Sequence, residues 1–202
     1  MSILAIDTVG PGSSIAIIDC DGKCLVEHDS KNNNHAESFF QILDTLFSKH
    51  NYNYNKIERL AVVVGPGSFT GIRAGISAAK GINLATGKPL YGVSALEVQA
   101  YAISLLDTKS KKNIRAIIKS SQGFYTQLFS FDLLPLSYPT LVREIAESKC
   151  LDIEVVGNNC TTYMDCNLPE LNASHAGLLV HSRLENKQEL GEVKALYLNN
   201  KS

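Results

Sequence analysis

The order of strands and helices along the 202-residue sequence predicts a mixed α/β protein of two lobes, in which helices cover a sheet. The chain opens with three short apolar segments separated by turn sequences, which is typical of an antiparallel meander. Strands and helices then alternate, and a polar stretch at 107–113 is the best candidate for a boundary. We therefore predict an N-terminal lobe over residues 1–106 and a smaller, reduced lobe over residues 107–202.

The first elements are three strands and a helix. Residues 3–7, 13–18 and 23–29 are the predicted strands, and glycine, proline and aspartate fill the turns between them. The helix follows because apolar residues recur at helical spacing until an asparagine-rich stretch near residue 51. Its apolar positions are Phe39, Phe40, Ile42, Leu43, Leu46 and Phe47.

Strand and helix alternate in the middle of the sequence. Residues 60–64 form a continuous apolar run, as expected of a strand buried on both faces. A long helix is predicted at 70–86 and is closed by Gly87. A strand at 90–93 and a helix at 95–106 follow, which completes the N-terminal lobe.

The second half repeats the α/β character on a smaller scale. Strands at 114–119 and 125–131 flank a glycine turn and predict a hairpin. We predict a helix at 140–149, a strand at 153–156 and a helix at 175–185. The mixture of hairpins and crossovers differs from a simple doubly wound fold and favours a mixed sheet.

Composition limits the function classes. The formal net charge is −1, and basic residues are spread along the chain, which argues against an autonomous nucleic-acid binder. No apolar run approaches the roughly 20 residues that span a bilayer, and the first residues resemble a strand rather than a signal peptide. The five cysteines are odd in number and lack CxxC spacing, which favours reduced thiols. We therefore expect a cytoplasmic protein with no membrane contact.

Asp7 and Thr8 at the end of the first strand are the first candidate site. An aspartate before a glycine-rich turn can hold a nucleotide-bound cation through water, while turn amides face phosphate oxygens. The alternative is an aspartate that only accepts hydrogen bonds from its own turn. The dipeptide alone leaves both interpretations open.

The second candidate site is the segment 65–75, with sequence GPGSFTGIRAG. A glycine-rich turn between a buried strand and a helix N-terminus is a natural anion site, and Gly65, Gly67 and Ser68 are the candidate phosphate contacts. It lacks the lysine of a P-loop. A tight turn capped by Ser68 or Thr70 is the alternative, although the glycines outnumber what a turn requires.

Small residues form one stripe along the helix that follows. Large apolar residues, Ile72 and Ile76 among them, lie on the opposite side at helical spacing. The large residues are expected to pack on the sheet, and the small ones would admit another helix at about 8 Å between axes. That helix belongs either to a partner or to the same lobe. The stripe consists of Ala74, Ala78, Gly81 and Ala85.

Three segments together resemble the TsaB family, which has been described as glycoprotease-like: ILAIDT at 3–8, GPGSFTGIR at 65–73 and GVSALE at 92–97. The resemblance is close over about residues 1–100 and loose beyond. It implies the actin-like ATPase superfamily fold, which is related to ribonuclease H, with two lobes and mixed central sheets.

The resemblance also implies a role in forming threonylcarbamoyladenosine in tRNA. Such proteins pair with a TsaD-like catalytic subunit and act with a TsaE-like ATPase, so tRNA would be reached only through the complex. The first two helices make the partner contact in that family. The expected interface here is therefore Phe39, Leu43, Leu46, Ala74, Ala78, Gly81 and Ala85.

The resemblance implies that this chain has no catalytic residues and no metal site of its own. The TsaD-like paralogue binds a metal through two histidines of a G-V-N-H-x-E-x-H segment. Ala95 and Gln99 stand at those positions here, and alanine cannot coordinate a metal. We expect no intrinsic cofactor, with ATP or ADP only at the complex, and a homodimer when the chain is alone.

Two other functions remain as alternatives. An independent ATP-dependent phosphotransferase of the same fold needs a general base and a metal-binding carboxylate, and only Asp7 lies in a recognised loop. A metalloprotease needs paired histidines at helical spacing, which the sequence lacks.

Overall fold

The computed structural model describes residues 1–10, 12–29, 35–106, 111–145, 153–158 and 171–198. Within these ranges the chain forms nine strands and four α-helices, apart from one short 3-10 helix. The strands are β1 (Ile3–Asp7), β2 (Ser13–Ile18), β3 (Cys24–Asp29), β4 (Arg59–Val63), β5 (Leu90–Val93), β6 (Asn113–Ser120), β7 (Gly123–Phe129), β8 (Thr140–Val142) and β9 (Ile153–Asn158). The helices are α1 (His35–His50), α2 (Phe69–Thr86), α3 (Ala95–Leu106) and α4 (Ala173–Glu185).

The first sheet has five strands in the order β3-β2-β1-β4-β5. β1, β2 and β3 pair antiparallel, so the predicted opening meander is confirmed. β1 and β4 pair parallel, as do β4 and β5, because α1 returns the chain before β4 and α2 returns it before β5. The predicted mixed sheet is thus confirmed.

Helices cover both faces of this first sheet. Glycines at two helix positions allow close approach: Gly177 of α4 lies against the side chain of Ala5, and Gly75 of α2 lies against the side chain of Thr8, the residue after β1. Residues three apart along an extended chain point to opposite faces. α4 and α2 therefore lie on opposite sides of β1, whose four residues from Ile3 to Ile6 are fully buried.

The second sheet has four strands in the order β8-β7-β6-β9. β6 and β7 form the predicted hairpin, and β9 confirms the predicted strand at 153–156. The prediction of a helix at 140–149 is wrong at its start, because residues 140–142 form β8 and pair antiparallel with β7. Residues 146–149 lie outside the described residues.

The chain divides into compact units differently from the predicted lobes. One unit comprises Met1–Ala95 and Asn172–Leu196, and the other comprises Leu96–Leu171 and Tyr197–Ser202. α3 belongs to the second unit because its apolar side chains share a core with β6 and β7. That core contains Leu96, Ala100, Ile103, Ile114, Ala116 and Phe129. α4 belongs to the first unit because it packs on β1 and β2.

Two sequence expectations concern thiols and membranes. Cys20 and Cys24 are free, and the remaining three cysteines lie outside the described residues. Burial raises the pKa of the Cys24 thiol, and the nearby Asp19 carboxylate adds to this. None of the described helices combines the length and apolar character that crossing a bilayer requires.

The N-terminus of α4 links stability to pH. Asn172 caps the helix, and its backbone N–H donates to Nδ1 of His175 at 3.4 Å. Burial lowers the pKa of His175 below its ordinary 6.5. The neutral imidazole is therefore the form that the folded chain favours.

We expect His175 to reduce the free energy of unfolding as the pH falls. Because the folded-state pKa is depressed, the unfolded chain binds more protons in the window below pH 6.5. The stabilisation is complete above that window and is lost as the pH falls through the folded-state pKa. Urea unfolding at about pH 7.5 and about pH 5.5 measures this change. The free energy of unfolding should fall more between these two pH values for the native chain than for His175→Gln, which keeps a capping side chain. Equal losses would contradict the assignment.

Candidate functional site

The glycine-rich loop between β4 and α2 lies directly against the turn after β1. A Cβ atom on Gly67 would overlap Val9, and one on Gly71 or Gly75 would overlap Thr8. Gly67 has φ 154°, a conformation that side chains rarely adopt. The density of glycine in this loop therefore follows from packing, which the sequence alone does not reveal.

The start of the loop packs against the segment around Leu196, which follows α4 in the chain. The N–H of Leu196 donates to the carbonyl of Val64 at 2.8 Å. A Cβ atom on Gly65 would come within 2.7 Å of the Leu196 carbonyl oxygen, and φ at Gly65 is 109°. Gly65 is thus required by its backbone conformation and by the segment packed on it.

The polar groups predicted to contact phosphate already have partners within the chain. Asp7 Oδ1 accepts from the N–H of Val9 at 2.9 Å, and the Thr8 hydroxyl donates to the carbonyl of Gly71 at 2.6 Å. Ser68 Oγ accepts from the N–H of Gly71 at 3.1 Å, and the Ser68 N–H donates to the Val9 carbonyl at 3.2 Å. The loop is thus a capped turn in which these three side chains already make hydrogen bonds within the chain. Phosphate binding at this loop stays a prediction.

The position where the resemblance implies a second metal histidine is structural here. Gln99 of α3 is fully buried, and its Oε1 accepts from the backbone N–H of Ile117 on β6 at 2.9 Å. The side chain thereby fixes α3 to β6 within the second unit. Among the described residues, no three side chains of the metal-binding types come together in a cluster that could hold an ion.

The small-residue stripe of α2 is open in part. Ala74 and Ala78 are half-buried, whereas Gly81 and Ala85 are exposed. A Cβ atom on Gly81 would meet nothing within 4 Å. The chain therefore leaves room for a neighbouring helix at the C-terminal half of α2, although α1 packs against α2 in the same unit.

The three predicted interface residues of α1 need correction. Phe39, Leu43 and Leu46 are only 2%, 3% and 0% exposed. They pack into the first unit because α1 turns its regular apolar face toward β2 and β3. They therefore cannot contact a partner in this conformation, and the exposed aromatic residue of the helix is its neighbour Phe40, at 61%.

Two exposed apolar side chains were absent from the predicted interface. Leu84 of α2 is 87% exposed, and Phe69 at the start of the same helix is 54% exposed. Leu84 follows Gly81 by three residues and lies off the buried arc formed by Ile72, Ile76 and Ile82. Helical spacing places Leu84 away from the isoleucines, so the sequence alone could have identified Leu84 as an exposed apolar residue.

Comparison with known proteins supports the resemblance. Residues 29–116 match the family model described as "TsaD: tRNA N6-adenosine threonylcarbamoyltransferase". The Escherichia coli K12 protein "tRNA threonylcarbamoyladenosine biosynthesis protein TsaB" is 34% identical over 100 residues, covering 50% of this chain and 43% of that protein. The Haemophilus influenzae protein of the same name is 28% identical over 130 residues, covering 63% of this chain and 54% of that protein. The chain thus spans about half the length of the TsaB relatives it matches.

The fold comparison covers nearly the whole chain. The crystal structure of a Pseudomonas aeruginosa protein "with similarity to peptidase YEAZ" superposes with a TM-score of 0.77 at 18% identity, covering 98% of this chain and 99% of that one. YeaZ from the same species superposes with a TM-score of 0.77 at 17% identity, covering 97% and 100%. The predicted actin-like ATPase fold and the resemblance to the TsaB family are confirmed.

Proposed function

We propose that this chain, as a relative of the TsaB proteins, is a non-catalytic subunit that binds and activates a TsaD-like transferase in forming threonylcarbamoyladenosine in tRNA. The observation that carries the proposal is the open C-terminal half of α2, where Gly81 has free space and Leu84 is 87% exposed. A helix of a second protein can approach closely at small residues and bury the leucine.

The partner in this proposal follows from the relatives. One matched protein is the Rhizobium johnstonii "tRNA N6-adenosine threonylcarbamoyltransferase", which is 30% identical over 94 residues, covering 46% of this chain and 25% of that protein. A transferase of this class is therefore the partner that the resemblance implies. A TsaE-like ATPase would join the complex, and tRNA would be bound only there. Self-association of the isolated chain through the same surface stays a prediction.

The glycine-rich loop supports a non-catalytic role more than a phosphotransferase. The Thr8 hydroxyl donates to the Gly71 carbonyl, Asp7 accepts from the N–H of Val9 within its own turn, and Ser68 caps α2. A phosphotransferase would need such groups to face its nucleotide and metal. We propose that nucleotide and metal in the complex belong to the partner subunits.

Filling the open space on α2 tests the proposal. Gly81→Leu should abolish co-elution with the TsaD-like protein of the same genome, because the added side chain occupies the space that a partner helix needs. Folding should be unaffected, since leucine is a better helix former than glycine by about 1 kcal/mol. Size-exclusion chromatography and mass spectrometry of tRNA nucleosides from a complemented deletion strain are the measurements.

Glu185→Leu on α4 is the matched control. It also adds a leucine to an exposed helix position, and α4 covers the other face of the sheet. This variant should co-elute with the partner and restore the modified nucleoside. If Gly81→Leu behaves like the control, α2 is not the docking helix and the proposal fails.

A further inference from the structure

The solvent face of α2 has a second feature beside the small-residue stripe, namely its charge. This solvent face consists of Phe69, Arg73, Ser77, Lys80, Gly81, Leu84 and Ala85, all of which are exposed. At 3.6 residues per turn, Arg73 and Lys80 lie on one line two turns apart. Leu84 lies between that line and the small residues, so an apolar anchor and a cationic row border the open space.

The cationic row, Arg73 and Lys80, forms no ion pair with a described carboxylate. The helix contains Arg73 and Lys80 but no aspartate or glutamate. The guanidinium of Arg73 lies 4.1 Å from the centroid of the Phe69 ring, which attracts the cation but has no formal negative charge. No described carboxylate lies within ion-pair distance of either side chain. The chain as a whole has a net charge of −1, so the two cations on this helix are not part of a general excess of positive charge.

The cationic row and the exposed leucine together indicate which kind of molecule binds this face, a second copy of the chain or a helix of another protein. A second copy paired about a two-fold axis on α2 would bring two cationic rows together, and like charges across an interface are unfavourable. A partner helix with carboxylates on one edge would meet the row with opposite charge and still cover Leu84. An RNA is disfavoured, because two cations beside an exposed leucine offer few phosphate contacts.

We propose that the solvent face of α2 binds a protein helix that carries an apolar contact for Leu84 and a row of carboxylates facing Arg73 and Lys80, in preference to a second copy of this chain. This inference rests on the proposed function, since it describes the surface that the TsaD-like partner must present. The small residues set how closely the two helices approach, and the charges set which helix is accepted.

Charge reversal on this face tests the inference. Arg73→Glu with Lys80→Glu should weaken binding to the TsaD-like subunit of the same genome by about tenfold or more, because opposed charges become like charges. Binding of the native chain should also weaken as sodium chloride rises from about 50 to about 300 mM, and the double variant should lose this trend. Isothermal titration calorimetry measures both, and circular dichroism checks folding.

The control is a second double variant, Lys23→Glu with Lys111→Glu. It changes the total charge by the same amount at exposed lysines outside α2. It should bind the partner within about twofold of the native chain, which separates a local effect from general electrostatic steering. Sedimentation of each protein alone measures self-association, and a filter-binding assay measures tRNA binding.

The outcomes distinguish the two proposals. If the native chain does not bind the TsaD-like subunit, the proposed function fails and the inference fails with it. If the native chain binds and both double variants bind equally well, the inference is wrong and the proposed function stands. If Arg73→Glu with Lys80→Glu alters only self-association, the face binds a second copy of the chain and the inference is wrong. If this variant alters only tRNA binding, the face binds RNA and the inference is also wrong.

Discussion

Gly71→Ala is expected to destabilise the chain by about 3 kcal/mol, whereas Gly81→Ala, ten positions along the same helix, should not destabilise it. A Cβ atom on Gly71 would overlap the backbone carbonyl of Thr8, which a side-chain rotation cannot relieve. α2 would have to move away from the end of β1 and lose the hydrogen bond from the Thr8 hydroxyl to the Gly71 carbonyl. The same methyl group on Gly81 meets nothing and removes backbone freedom from the unfolded chain.

Urea unfolding followed by circular dichroism gives both free energies. The two variants add the same atom to the same helix, so their difference isolates the contact with Thr8. A similar, small change in both proteins would show that the glycine-rich loop tolerates side chains. The packing explanation of its glycines would then be wrong, and anion binding would again be the better reason for them.

Phe39→Ala is expected to cost about 3–5 kcal/mol, whereas Phe40→Ala should cost less than about 1 kcal/mol. Phe39 is 2% exposed and fills the first unit beneath α1, so its removal leaves a cavity. Phe40 is 61% exposed and loses only an edge-on contact with the Phe39 ring, whose centroid is 5.1 Å away. The neighbours are the same residue type, and burial is the main difference between them.

Thermal and urea unfolding of the two variants check this prediction. Equal losses would indicate that α1 is rotated relative to its described position. A stable Phe39→Ala protein that no longer binds the TsaD-like subunit would restore Phe39 to the interface. The pair therefore decides whether the apolar side of α1 serves the core or a partner.

Most of the helices and strands could be predicted from the sequence because apolar residues repeat along each of them with one clear spacing. The isoleucines of α2 recur at helical spacing, and the run before it forms the buried strand β4. β8 was missed by the sequence analysis because this strand has only three residues and the residues after it are good helix formers. Pairing with β7 decides their conformation, and no local pattern contains that information.

The sequence indicates a candidate docking surface but not the contacts around it. Periodicity predicted the small-residue stripe, and the structure leaves open space at Gly81, while docking of a partner there stays a prediction. Periodicity could not tell which apolar side of α1 meets the sheet, so Phe39 was assigned to the interface. The glycines of the loop were attributed to anion binding because contacts between Gly71 and Thr8 join residues far apart in sequence.

The first unit combines two distant segments of the chain, and this limits when it can fold during synthesis. Residues 173–185 cover the face of the sheet that contains Ala5, and Gly177 fits against Ile18 there. The ribosome synthesises β1 to β5 long before it reaches α4, so the nascent chain presents one apolar sheet face throughout that interval. Stable tertiary structure of this unit is therefore expected only after α4 has left the exit tunnel, although α2 is synthesised far earlier.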